Sequence, residues 1–179
     1  ASSHGVESTL LALKGITGPK HVFEDTYGFA HLYTGGKMRA EAFRATSKDV
    51  LEINNVSLKP YPSCRCTHPV IDAILELKQK HAVREEDIES GSLYLTPGAM
   101  GQVGAPFALR DDPVISAQFS ACYTAALAMI QGIPRLHHFD PQFIVSRKDI
   151  IRLARKFKPT LSKKDISGIS SCEVILKLK

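Results

Sequence analysis

Residues 59–72, which read Lys-Pro-Tyr-Pro-Ser-Cys-Arg-Cys-Thr-His-Pro-Val-Ile-Asp, are the most informative part of this chain. Pro60 and Pro62 stiffen the approach to a helix, because a proline fixes its own φ and restricts the residue before it. Thr67 is predicted to cap that helix, and Pro69 suits its first turn. The stretch therefore predicts a stiff arm that ends at a helix N-terminus, where free N–H groups and the helix dipole favour an anion.

The side chains of this arm allow two other interpretations. A proline-rich loop before a helix is also ordinary connecting structure, with its lysine and arginine simply solvated. The spacing Cys64-x-Cys66-x-His68 could bring three metal ligands together. Structural zinc sites need a fourth ligand and usually contain Cys-x2-Cys pairs, so we predict no metal here.

The composition is that of an ordinary globular protein. The chain has 179 residues, of which 44% are hydrophobic and 23% are charged, and it is long enough for one sizeable core. It contains no apolar run long enough for a membrane span and no visible signal peptide, so we expect a cytoplasmic protein with reduced cysteines. The first residues enter a helical pattern at once, which suggests the interior of a longer chain.

The positive charge is concentrated near the C-terminus. The whole chain carries a formal net charge of +5, and residues 144–179 hold 10 Lys+Arg against 3 Asp+Glu. These basic residues share a helix with an apolar stripe and have no accompanying aromatic platform. We therefore expect a solvated helix face and no nucleic-acid partner.

Hydrophobic periodicity and turn signals predict an α+β fold, a small sheet with helices packed on it. A loop rich in glycine and proline is expected over 97–113, and a capping box at Ser146–Asp149 is expected to open the last helix. The predicted helices cover 4–14, 19–28, 68–81, 114–131 and 146–157, with a short turn at 140–141. The predicted strands cover 48–59, with a bulge or hairpin turn at Asn54-Asn55, 92–96 and 172–179.

The arm also carries a family resemblance. Lys59 to Arg65, then Thr67-His68 and Ile71-Asp72, resembles the central signature of the MmgE/PrpD family. This family includes 2-methylcitrate dehydratases, cis-aconitate decarboxylases and iminodisuccinate epimerases. The resemblance covers most of the chain and is most specific at the arm. Supporting stretches are Gly5-Val6, Leu10 to Ala12, Gly15 to Pro19, Ala117 to Ser120, Tyr123 and Gly132.

The resemblance implies a domain organisation. In the family a small α/β lid is inserted into a larger all-helical domain, and the active site lies between them. Residues 1–34 would then be a helical-domain segment, 35–113 the lid, 114–160 the return to the helical domain and 161–179 a terminal strand region. The helical domain would be incomplete in this chain.

The resemblance also implies a chemistry. The family acts without a cofactor on small di- or tricarboxylates, moving a proton at a carbon next to a carboxylate. Lys59 would bind and stabilise a substrate carboxylate, and His68 would act as an acid, a base or a donor to a carboxylate. Arg65 would hold a carboxylate with its planar fork, and Cys64 occupies a position where some decarboxylases of the family carry a histidine. Among these reactions, dehydration of the 2-methylcitrate type is the first expectation, with decarboxylation or epimerisation as alternatives.

Two further expectations concern the isolated chain and its partners. Part of the family's site lies outside this sequence, so we expect the chain alone to be catalytically silent. The family is commonly dimeric, so the complete protein is expected to form a homodimer, and the apolar helix 114–131 is expected to offer a partner surface. The alternative from another class is a non-catalytic domain that keeps the fold and binds an anion or a partner.

Overall fold

The computed structural model describes residues 2–37, 52–163 and 171–179. The chain separates into two compact units, residues 1–56 and residues 57–179. Its helices and its short sheet confirm the α+β class. The division between a helical domain and a lid remains a prediction.

The first unit is helical and largely solvent-exposed. Helix α1 covers Ser2–Leu13, as predicted, and helix α2 covers Phe29–Thr34. None of the α1 residues is buried. The predicted helix over 19–28 is wrong, because those residues form consecutive turns that end where α2 begins.

The second unit carries the sheet and six helices within its described residues. Helix α3 at His68–His81 matches the predicted 68–81. The helices that follow are α4 at Pro97–Val103, α5 at Pro113–Gln118, α6 at Ala121–Gln131, α7 at Pro141–Ser146 and α8 at Lys148–Ala154. The strands are β1 at Ile88–Leu95, β2 at Phe157–Leu161 and β3 at Cys172–Leu178.

The sheet has the order β2-β1-β3. Strand β1 pairs in parallel with β2, with Gly91 opposite Phe157, and antiparallel with β3, with Leu93 opposite Val174. A parallel pair needs a crossover connection, and here helices α4 to α8 supply it. Pro159 lies in β2, an edge strand, where a missing backbone N–H is tolerated.

The core of this unit forms where α3, α6 and α8 meet one another and the sheet. Nine residues of α6, Ala121 to Met129, are buried, and Val70, Ile71 and Ile74 of α3 are fully buried. Lys78 of α3 donates to the Met129 carbonyl oxygen at 2.6 Å, near the C-terminus of α6. The prediction that helix 114–131 offers an exposed partner surface is therefore wrong, because most of its apolar residues line the core.

Polar N-cap residues start four helices, three of them followed by proline, and explain two errors in the predicted elements. The Thr96 hydroxyl accepts from the Ala99 N–H at 3.3 Å ahead of Pro97, so a helix occupies part of the expected loop 97–113. Asp112 caps α5 and Asp140 caps α7 in the same way. The Ser120 hydroxyl accepts from the Tyr123 N–H at 3.1 Å and starts α6 as a new helix, so the predicted single helix 114–131 is broken.

Two other local predictions are wrong, and a third is confirmed only in part. The predicted strand 48–59 does not form over its described residues. Residues Glu52–Asn55 form a 3-10 helix, and no strand follows between them and Lys59. Residues 48–51 lie outside the described part of the chain. Helix α8 ends at Ala154, and its N-cap residue Arg147 makes no capping bond, so the capping box does not form. Thr67 occupies the N-cap position of α3 as predicted, but its side chain makes no capping bond, because its hydroxyl donates back to the Cys64 carbonyl oxygen at 2.8 Å.

No helix in the described ranges combines the length and the apolar character needed to cross a membrane.

Candidate functional site

Gln118, at the end of α5, fixes the arm of residues 59–67. Its side-chain Nε2 donates to the Pro62 carbonyl oxygen at 3.0 Å, and its own carbonyl oxygen accepts from the Cys64 N–H at 3.0 Å. The Ser63 and Thr67 hydroxyls lie 2.7 Å apart beneath the same turn. These bonds hold the middle of the arm against α5 and so set where its exposed beginning, Lys59, can reach.

A cavity of about 890 Å³ lies beside the arm, within the size range of small-molecule sites, about 300–1,000 Å³. One wall is the arm from Lys59 to Cys64, and another is the segment Ile133–His137 after α6. Gln118 and Phe119 complete the lining. Among the described residues, the lining side chains include Lys59 and Arg135 but no carboxylate, so this part of the cavity suits an anion.

Of the four predicted site residues, Lys59 and Cys64 line this cavity. Cys64 is mostly buried behind the arm, and its thiol donates to Oε1 of Gln102 at 3.6 Å. The Cys66 thiol donates to the same oxygen at 3.6 Å. Burial and then the neighbouring Cys64 raise the pKa of Cys66. Within the described residues, no three His, Cys, Asp or Glu side chains are placed to hold a metal ion.

His68 does not line the cavity. Its ring is fully buried, with Nε2 3.4 Å from the Ser63 carbonyl oxygen and the ring edge toward Tyr61 at 5.2 Å between centroids. Its Nδ1 has no hydrogen-bond partner among the described residues. Burial lowers the pKa of His68, and the positive charges of Arg65 and Lys59 act in the same direction. A neutral ring behind the arm is the result, and its catalytic role remains a prediction.

Arg65 points to a different part of the surface. It lines a separate cavity of about 420 Å³ together with Asp72 and Glu76. Tyr61 donates to Asp72 at 2.6 Å, and burial followed by this carboxylate raises the pKa of Tyr61 to about 12. Arg65 and Lys59 therefore belong to different surfaces, and substrate binding by Arg65 remains a prediction.

The structure adds Arg135 and His137, which sequence reasoning did not place in the site. They lie more than 70 residues beyond Lys59 in the chain but line the same cavity. The segment Arg135-Leu136-His137-His138 is the one signal that could have found them, since it places an arginine and two imidazoles just after an apolar helix. Periodicity cannot show which remote segment such a loop meets.

The two buried histidines predict a loss of stability in mild acid. Burial lowers the pKa of both His68 and His138 in the folded protein. The unfolded chain, with histidine pKa values of about 6.5, therefore takes up protons first as the pH falls. The stabilising contribution is complete above about pH 6.5 and is lost as the pH falls toward the folded-state values.

Urea denaturation at intervals between about pH 7.5 and 5.5 measures this effect. The free energy of unfolding should fall as the pH is lowered, and His138→Asn, which keeps a polar acceptor, should flatten the profile. The exposed His81 serves as the matched control, because His81→Asn should leave the slope unchanged. A flat wild-type profile across this interval would contradict the prediction.

The second unit is an α+β fold with a cavity beside the proline-containing arm, and the described residues that line this cavity include Lys59 and Arg135 but no carboxylate. Residues 61–165 match the model of the MmgE/PrpD C-terminal domain, and this chain belongs to the MmgE/PrpD family. The chain is 24% identical to the cis-aconitate decarboxylase of Homo sapiens over 188 residues, an alignment covering 100% of this chain and 37% of that protein. It is 27% identical to the cis-aconitate decarboxylase of Mus musculus over 165 residues, covering 88% of this chain and 32% of that protein. The chain thus spans about a third of the length of these curated relatives.

Proposed function

We propose that this chain supplies the carboxylate-binding face of an MmgE/PrpD lyase site for small di- or tricarboxylates. The observation that carries the proposal is the cavity beside the arm, whose described lining residues include Lys59 and Arg135 but no carboxylate. The Lys59 ammonium would bind a substrate carboxylate. It would also stabilise the negative charge that develops beside that carboxylate during proton abstraction. The proposal requires no cofactor.

The proposal extends to the identity of the substrate. The named relatives are cis-aconitate decarboxylases, and cis-aconitate is the first compound to test. The family resemblance gave dehydration of the 2-methylcitrate type as the first expectation. Cys64 stands where some decarboxylases of the family carry a histidine, so 2-methylcitrate is tested beside cis-aconitate. Both compounds carry three carboxylates, and the cavity can be tested for both with one assay.

One observation favours the alternative of a binding domain without catalysis. His68, the predicted acid or base, is buried behind the arm and does not line the cavity. The ionisable side chains among the described lining residues are those of Lys59, Tyr61, Cys64, Arg135 and His137. Turnover would then depend on groups outside this chain, whereas anion binding would not.

Calorimetric titration of the 179-residue chain tests the proposal. We expect cis-aconitate and 2-methylcitrate to bind in preference to acetate, and higher ionic strength to weaken binding, because the attraction is between charges. We also expect no release of carbon dioxide or water from the chain alone. Equal binding of mono- and tricarboxylates would contradict the proposed site, and turnover by the chain alone would contradict the expectation that it is silent.

A further inference from the structure

The segment between α6 and α7 holds two polar side chains, the guanidinium of Arg135 and the imidazole of His137, on the cavity wall. Leu136–Phe139 forms a 3-10 turn. His138 and Phe139 of this turn are buried, whereas Arg135 and His137 are exposed and line the cavity. His138 and Phe139 thus anchor this segment in the interior, while Arg135 and His137 form its outer surface.

Several contacts hold His138 and Phe139, the buried residues of this turn, in place. His138 Nδ1 accepts from the Arg135 N–H at 3.0 Å, which closes the turn immediately behind the cavity wall. The His138 ring lies 5.2 Å from the Phe143 ring, and the Phe139 ring lies 6.4 Å from the Tyr123 ring in the core. Because these contacts tie the turn to α6 and α7, Arg135 and His137 extend from a fixed backbone.

The cavity therefore has a cationic group on each of two walls that are remote in sequence. Lys59 lies on the arm before α3, and Arg135 lies after α6, in the same segment as the imidazole of His137. The other described cavities that contain an arginine also contain carboxylates, such as Asp111 and Asp112 in one and Asp72 and Glu76 in another. Cations on separate walls, with no such carboxylate among the described lining residues, suit a ligand with more than one negative group.

We propose that Arg135, assisted by His137, binds a second carboxylate of the ligand whose first carboxylate is bound by Lys59. This inference rests on the proposed function and deepens it, because it assigns the selection of poly- over monocarboxylates to the turn after α6. The guanidinium of Arg135 can donate two parallel N–H bonds to one carboxylate, and an imidazole N–H of His137 can donate a third. Leu136 and Ile133 provide apolar surface for the carbon skeleton between them.

The test compares cis-aconitate with acetate on a small set of variants by calorimetric titration. Arg135→Gln should weaken cis-aconitate binding by about 10- to 100-fold and leave acetate binding nearly unchanged, because only the larger ligand reaches both walls. His137→Gln should weaken cis-aconitate binding by a smaller factor. Lys59→Ala should weaken both ligands. Arg155→Gln is the matched control, since Arg155 is exposed at the end of α8 and does not line the cavity.

The outcomes separate this inference from the function on which it rests. If Lys59→Ala weakens binding but Arg135→Gln leaves the preference for cis-aconitate intact, the second-carboxylate site is overturned and the proposed function stands. If the wild-type chain binds neither ligand, both proposals are overturned. Thermal unfolding of each variant confirms that it is folded, which is expected because both changed side chains on the turn are exposed.

Discussion

Replacing Lys59 by alanine is expected to weaken the binding of cis-aconitate by about 100-fold, and to lower turnover in the complete enzyme by about 10²–10³-fold. Lys59 is the one ammonium group among the described residues that line the cavity. A carboxylate bound there would lose a charge-assisted hydrogen bond, and the charge that develops during the reaction would lose its stabilising partner.

Two variants make this result specific. Lys59→Arg keeps the positive charge but replaces a compact ammonium by a larger planar group, so it should recover part of the binding and little of the turnover. Lys158→Ala removes an exposed lysine of β2 that does not line the cavity and should leave both quantities unchanged. If Lys59→Ala and Lys158→Ala behaved alike, the arm would be ordinary connecting structure.

A valine at position 91 is expected to lower the free energy of unfolding by about 3 kcal/mol, as overpacking of a well-filled core does. Gly91 lies in β1, the central strand of the sheet. A Cβ at this position would lie 2.5 Å from Cδ1 of Phe157 and 3.2 Å from Cδ2 of Leu176. Phe157 is only 4% exposed, so its ring has little room to move aside.

Denaturant titration of three proteins decides the cause of this loss. Ser92→Val is the matched control, because Ser92 is the next residue of β1, faces the other side of the sheet and is half-buried. The double variant Gly91→Val with Phe157→Leu should recover part of the lost stability, since the smaller side chain makes room for the new methyl groups. Equal effects at positions 91 and 92 would show that the loss comes from strand propensity and not from the contact with Phe157.

Local signals in the sequence predicted several elements well. Helix α3 was predicted over 68–81 from apolar spacing and its basic last turn, and strand β3 from the alternation of Val174, Leu176 and Leu178. Helix α3 buries a regular face, and Val174 and Leu176 of β3 pack half-buried against the core, so the residues of each element specify its inner face. The predicted helix 114–131 was wrong because a helix N-cap lies within a longer apolar pattern. Ser120 interrupts an apolar run that periodicity alone interprets as one helix.

Two of the four predicted site residues line the cavity, because they lie close together in the chain. Lys59 and Cys64 belong to one short arm, and the order of residues along that arm places them on one cavity. His68 follows four residues after Cys64, but the arm turns through Arg65–Thr67 before α3 begins, and this turn carries the imidazole into the interior. Arg65, between them, points toward Asp72 and Glu76 on another surface.

By itself, the sequence determined the family, the α+β class and the arm that carries Lys59, because each depends on residues close together in the chain. Tertiary structure alone decided that the arm meets the turn of Arg135 and His137, that Gln118 holds the arm in place and that α6 lies in the core. The physical reason is that packing brings together segments about 70 residues apart, and the spacing of residues within either segment does not encode which surface it will meet.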